Sequence, residues 1–274
     1  SDPSNPPARL VFIARVPNMI AFVTFLLLPV VVLSYIHRPH LPPYQSSSSL
    51  SASSLQSTFD CTFSSSRPLA YTVLPAPPNL EITSDWNSTV WSSVPETSQF
   101  VDITGNASLP PRYATRAKML STETHLHVLA LLEEPELVAT ITTPNEVIFH
   151  DNDIEVFVDP SGTTHNYKET EVNAYGTPWT LAINKPYSDG GYENSSRVMS
   201  PAYDMLLASP PLSTSVSLSP QNAINDPSLS PTDSWTCLIS LPLQSLVVNT
   251  STPLPTPGTF WRINFSRVEW HYAV

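Results

Sequence analysis

The stretch HDNDIEVFVDPSGTTHNYKETEVNAYGTPW, from His150 to Trp179, brings together the side chains best able to do chemistry. Read as a strand, Asp153 to Asp159 places Ile154, Val156 and Val158 on one face. Asp153, Glu155, Phe157 and Asp159 then lie on the other. With PSGTT as a five-residue turn and Asp159 opposite His165, Phe157 faces Tyr167, Glu155 faces Glu169 and Asp153 faces Glu171. Carboxylates this close repel unless water, a cation, arginine or sugar hydroxyls separate them. Phe157, Tyr167 and Trp179 add flat rings, and Asn173 adds an amide. Rings beside acids and amides suit a saccharide, whose apolar ring face stacks while its hydroxyls donate and accept. The plain alternative is a solvated sheet face.

Two other chemistries use the same residues. Glycoside hydrolysis needs an acid and a carboxylate about 5 Å apart for retention, or about 6.5 to 9.5 Å for inversion. Glu155 and Glu169 are the pair that would supply it. Nothing in the sequence marks a cleft or an environment that raises one of the two pKa values, so a non-catalytic role is favoured. Asp151, Asp153 and Asp159 are hard oxygen donors that suit calcium, but they do not form an EF-hand loop. His125 and His127 alternate on an outward strand face and read as surface residues, not zinc ligands. The chain has no G-x-S-x-G elbow, P-loop or H-E-x-x-H.

The elements that must hold these residues are short. The 274 residues include 30 prolines and only 6 glycines, too many prolines for long helices to dominate. Apolar or alternating runs predict strands at Leu69 to Val73, His125 to Leu132, Val138 to Thr142, Asp153 to Asp159, Asn166 to Ala174, Trp179 to Ile183, Ser213 to Leu218, Trp235 to Leu241 and Phe260 to Val268. Short helical turns are expected at Ser88 to Ser93 and Leu243 to Val247. This pattern predicts an all-β antiparallel sandwich, jelly-roll-like, over residues 68–274.

Ahead of it, residues 16–36 read VPNMIAFVTFLLLPVVVLSYI without a charge, long enough at about 1.5 Å per residue to cross about 30 Å of hydrocarbon. A single transmembrane helix is expected there, after a short cytoplasmic tail at 1–15; a cleaved signal peptide, with a secreted domain, is the alternative. Residues 37–67 are rich in Ser and Pro and read as a disordered stalk. Sequons at Asn87, Asn106, Asn194, Asn249 and Asn264 all follow the span, so the domain is expected on the luminal or outer side. Cys61 and Cys237 allow one disulfide in an oxidising compartment. The net charge of −11 leaves no basic stripe for nucleic acid.

The segments RYATRAKMLSTETHLHVLALLEEPELVATIT, VIFHDNDIEVFVDPSGTTHNY, ETEVNAYGTPWTLAINKPYSDGG and FWRINFSRVEW resemble the carbohydrate-binding module family 9-like domain across residues 68–274. The resemblance implies a β-sandwich that binds oligo- or polysaccharides without catalysing their cleavage, sometimes with structural calcium and no other cofactor. It implies Trp179 as a stacking platform, Glu169, Glu171 and Asn173 as hydroxyl partners beside Tyr167, and Arg116 and Lys118 as basic groups reaching the same face. Ser121 stands where the family often has Trp, and the family pattern runs on beyond RVEWHYAV, so the domain is expected to be incomplete at its C-terminus. A sandwich that serves only as a non-binding surface scaffold is the remaining alternative.

Overall fold

The computed structural model describes residues 69–103, 110–194, 203–218, 224–226 and 234–270, together with the backbone of Ile20–Ala21 and Ser34–Tyr35. Those two short segments pair antiparallel. At these four positions the backbone is extended, not helical; the rest of the expected span and the expected stalk lie outside the described residues. Among the described residues no helix is long and apolar enough to cross a membrane.

Two five-stranded sheets build the domain. The first contains β1 (Leu74–Pro75), β2 (Thr115–Ser121), β3 (His125–Leu132), β8 (Ser213–Leu218) and β9 (Trp235–Pro242), in the order β8-β9-β3-β2-β1. The second contains β4 (Asp153–Asp159), β5 (Tyr167–Asn173), β6 (Pro178–Ile183), β7 (Glu193–Asn194) and β10 (Arg262–Ser266), in the order β10-β4-β5-β6-β7. Every pairing is antiparallel except the two-residue contact of β1 with β2. Among the described residues, helix is confined to single turns such as Thr89–Trp91 and to α1 (Leu243–Leu246).

Alternation explains why the sheets stack. Ala117, Met119, Val128, Ala130, Cys237 and Ile239 from the first sheet meet Ile154, Val156, Val158 and Val172 from the second in one buried cluster. The outer face of the first sheet is covered by Val90, Trp91 and Val94, which pack on Leu120, Leu129 and Leu238. Trp91 is anchored there by its indole N–H, which donates to the Thr83 carbonyl at 2.8 Å. His125 and His127 belong to this covered face; His127 is buried, bonded to Ser240 at 2.9 Å, and burial lowers its pKa to about 4.

Three strand expectations change. Val138 to Thr142 forms no strand, because its amides bond to side chains instead of a ladder: Ala139 to Asn225, and Thr140 and Ile141 to Asp151. Leu69 to Val73 gives way to the short β1. The β4–β5 register also moves by two residues: Glu155 lies opposite Glu171, Phe157 opposite Glu169 and Asp153 opposite Asn173. The cause is Asp159, whose carboxylate accepts from Ser161 Oγ and Gly162 N on one oxygen and from Thr164 N on the other. A loop wrapped around that carboxylate takes seven residues, 160–166, where a five-residue turn was expected. Because the shift is even, every side chain keeps its face.

Candidate functional site

The outer face of the second sheet carries Asp153, Glu155 and Phe157 from β4, Tyr167, Glu169, Glu171 and Asn173 from β5, and Trp179, Leu181 and Ile183 from β6. The sequence places these residues together correctly, but they do not form an open surface. A segment from Ile141 to His150 crosses the sheet and lays Ile141, Val147, Ile148 and Phe149 on Tyr167, Trp179, Leu181 and Ile183. Trp270 fastens the segment by donating its indole N–H to the Phe149 carbonyl at 2.9 Å.

Trp179 therefore sits beside Glu171, with its ring 6.2 Å from that of Phe149, and only 4% of its surface is exposed. Tyr167 is also buried, and burial with Glu169 alongside pushes its phenol up. Asn173 has its amide fully engaged. It donates to the Ile141 carbonyl and to Asp151, and accepts from the amides of Tyr175 and Thr177. Its place in the structure is to hold the crossing segment and the following turn.

The carboxylates are enclosed without a basic partner. Asp153, Glu155, Glu169 and Glu171 are all buried, and among the described residues none pairs with Lys or Arg. Burial raises each pKa and proximity to the other acids adds to it in three of the four; Glu155, which Ser266 partly relieves, reaches about 7. Contact between the two carboxyls lowers the pKa of Glu169 and raises that of Glu171, and Glu171 Oε2 accepts from the Phe149 amide at 3.1 Å. Glu155 and Glu169, the pair considered for hydrolysis, are not cross-strand partners.

The three aspartates considered for calcium do not converge. Asp151 accepts from Thr140 N and Oγ1, Ile141 N and Asn173 Nδ2, which occupies both of its oxygens. Asp159 organises its own loop, and five strand residues lie between it and Asp153, a separation of about 20 Å. Arg116 does not reach this face either. Its neighbours Ala117 and Met119 point into the sandwich core, so Arg116 and Lys118 project from the far side of the first sheet. There Arg116 pairs with Glu96 at 2.6 Å, and Lys118 lies 4.2 Å over the Trp86 ring. Cys237 is buried in the core as a free thiol, and Cys61 lies outside the described residues. Asn87 and Asn249 are exposed, Asn194 and Asn264 are half-buried, and Asn106 lies outside the described residues.

Sequence reasoning missed the cover itself. Phe149 and Trp270 were visible, one just before HDND and the other closing RVEW, but nothing local shows that they meet across the sheet. It also missed Ser266, which donates to Glu155 from β10, and the buried pair of Arg267 with Glu134 at 2.6 Å, which ties the chain after β10 to the one after β3.

Residues 85–204 match the family model described as Carbohydrate family 9 binding domain-like. No curated protein matches the chain. Among solved structures, the chain is similar in fold to a protein from Bacteroides uniformis ATCC 8492 described as carbohydrate-binding. The identity is 14%, over 71% of this chain and 81% of that one, with a TM-score of 0.50. Weaker likenesses join it to a family 9 carbohydrate-binding module from Caldicellulosiruptor kristjanssonii. In its complex with cellotriose the identity is 13%, over 71% of this chain and 75% of that one, with a TM-score of 0.40. In its complex with glucose the corresponding values are 14%, 72%, 78% and 0.42. The stretch matched by the carbohydrate family 9 binding domain-like model, residues 85–204, contains β2 to β7 and the acid-lined face.

Proposed function

We propose that the domain binds saccharides on the outer face of the second sheet. The single observation that carries this reading is the gathering of aromatic rings and carboxylates on one face of a carbohydrate family 9 binding domain-like domain. Phe149, Phe157 and Trp270 are half-buried at its rim and offer ring faces for stacking, while Glu169 and Glu171 below them supply hydrogen bonds to hydroxyls. Tyr167 and Trp179 pack underneath and hold the rim in place. Entry of a sugar ring displaces Phe149 from above Trp179.

Isothermal titration of the protein against a panel of glucose, cello-oligosaccharides and xylo-oligosaccharides tests the reading. At least one ligand is expected to release heat saturably, and Phe149→Ala is expected to weaken it about tenfold, roughly 1.4 kcal/mol. A folded protein silent to the whole panel, or binding unaffected by Phe149→Ala and Phe157→Ala together, would refute it.

The uncharged run at 16–36 supports a membrane tether that places the domain on the luminal or outer side, and the exposed Asn87 and Asn249 support glycosylation there. Retention of the full chain in the membrane pellet after alkaline extraction, with a mobility shift on deglycosylation, is the expected result.

A further inference from the structure

The inner face of the second sheet does not end in hydrocarbon. Lys168 of β5 pairs with Val158 of β4 on one side and with Ala182 of β6 on the other, and Ala182 pairs with Asn194 of β7. Cross-strand partners share a face, so Lys168 and Asn194 continue the row in which Val158 enters the core. Asn249, from the chain after α1, and Tyr203 complete the wall of an open recess of about 190 Å³, which Lys168, Asn184 and Asn194 also line.

Lys168 is buried, and its ammonium donates to the carbonyls of Asn166 at 2.7 Å and Val248 at 2.8 Å. An ammonium carries three donors, so one N–H is left for the recess that the side chain lines. The other buried cations among the described residues have acids beside them. Lys118 lies 3.9 Å from Glu96 and Arg267 lies 2.6 Å from Glu134, whereas Lys168 forms no ion pair among the described residues. A buried charge without a counter-charge is costly. Burial lowers the Lys168 pKa to about 8 while Asp159, the acid that acts on it from β4, opposes the shift, so the amine stays mostly charged near neutral pH.

The polar groups beside it have spent their acceptors and kept their donors. Asn184 Oδ1 accepts from the amides of Lys185 at 2.9 Å and Tyr192 at 2.8 Å, and its Nδ2 has no partner among the described residues. The Tyr203 hydroxyl oxygen accepts from Asn249 Nδ2, which leaves the phenol O–H free to donate. One cation, one amide and one phenol donor in the same recess select an anion, and a single positive charge matches a single negative one. We propose that this recess binds the carboxylate of a small organic acid, either free or carried by an acidic sugar. Lys168 neutralises the charge, while Asn184 and Tyr203 donate to the carboxylate oxygens. The recess lies on the opposite side of the second sheet from the acid-lined face, so it does not depend on the saccharide reading of that face.

Isothermal titration of the full chain at pH 6.5 with acetate, glucuronate and glucose tests the site. Saturable heat from acetate, with or without glucuronate, assigns a free carboxylate. Heat from glucuronate without acetate, with an affinity about tenfold or more above that for glucose, assigns an acidic sugar. Lys168→Met is expected to weaken the binding by about 30-fold or more, and Tyr203→Phe by about threefold. Lys168 and Tyr203 are the titratable groups that line the recess. At pH 9 about one Lys168 in ten keeps its charge, so the unaltered protein is expected to bind about tenfold more weakly there, a test that holds even where Lys168→Met does not fold. Silence from both carboxylates, glucuronate bound no better than glucose without any response to acetate, or an affinity unchanged at pH 9 or in folded Lys168→Met overturns the site. Heat from glucose alone overturns it while supporting saccharide binding on the other face, so the two failures are distinguishable.

Discussion

Glu155 is buried on a face with no basic partner among the described residues, and that enclosure raises its pKa from 4.5 to about 7. The groups facing it are Asp153 on β4, Glu169 and Glu171 on β5 and the Ser266 hydroxyl on β10. Below pH 4.5 the acid is protonated in both folded and unfolded chains. Between 4.5 and 7 the unfolded chain gives up the proton while the folded one keeps it, so stability falls as pH rises through this window. Glu155 contributes to that loss together with Asp153, Glu169 and Glu171, whose pKa values are raised in the same direction. Urea denaturation at pH 5 and pH 8 is expected to show the drop, and Glu155→Gln to reduce it. Trp179 is governed by burial in the same way. Trp179→Ala is expected to cost about 3 to 5 kcal/mol in denaturant titrations, whatever it does to ligand binding. These residue types were legible in the sequence, but their burial was not, since it depends on Phe149 and Trp270 arriving from distant segments.

At the scale of elements, the sequence pattern was enough to locate β3, β4 and β8 to the residue, because residues of one kind recur at every second position on the face that enters the sandwich core. It failed at Val138 to Thr142, where Asp151 and Asn225 take the amides that a ladder would use. The seven-residue loop after β4 likewise follows from the Asp159 carboxylate and not from the turn formers alone. The KPYSDGG turn before β7 has its own steric requirement. A Cβ on Gly191 would stand 1.8 Å from the Lys185 carbonyl oxygen, a backbone atom that cannot swing aside. Gly191→Ala is therefore expected to open the turn that carries Tyr187 onto the buried cluster. A loss of about 2 kcal/mol or more in thermal or chemical unfolding is the measurement that checks it.

Across the whole molecule, the two sheets separate groups that the linear pattern seemed to unite. Arg116 and Glu96 stand on the far side of the first sheet, and Glu169 and Glu171 stand beyond the second. Arg116→Ala is accordingly expected to leave saccharide affinity within about twofold of the parent by titration. Its partly exposed ion pair is worth at most about 1 kcal/mol of stability. Loss of binding in that variant would move the ligand to the outer face of the first sheet. The sequence by itself determined the β-rich class, the faces of the strands and the company of acids and rings between Asp153 and Trp179, because two-residue periodicity is a property of the chain alone. Only the tertiary structure decided that this company is enclosed and that Asn173 and Asp151 are spent on internal bonds. Those outcomes depend on which distant segments cover a face and which donors they bring, and strand periodicity carries no information about either.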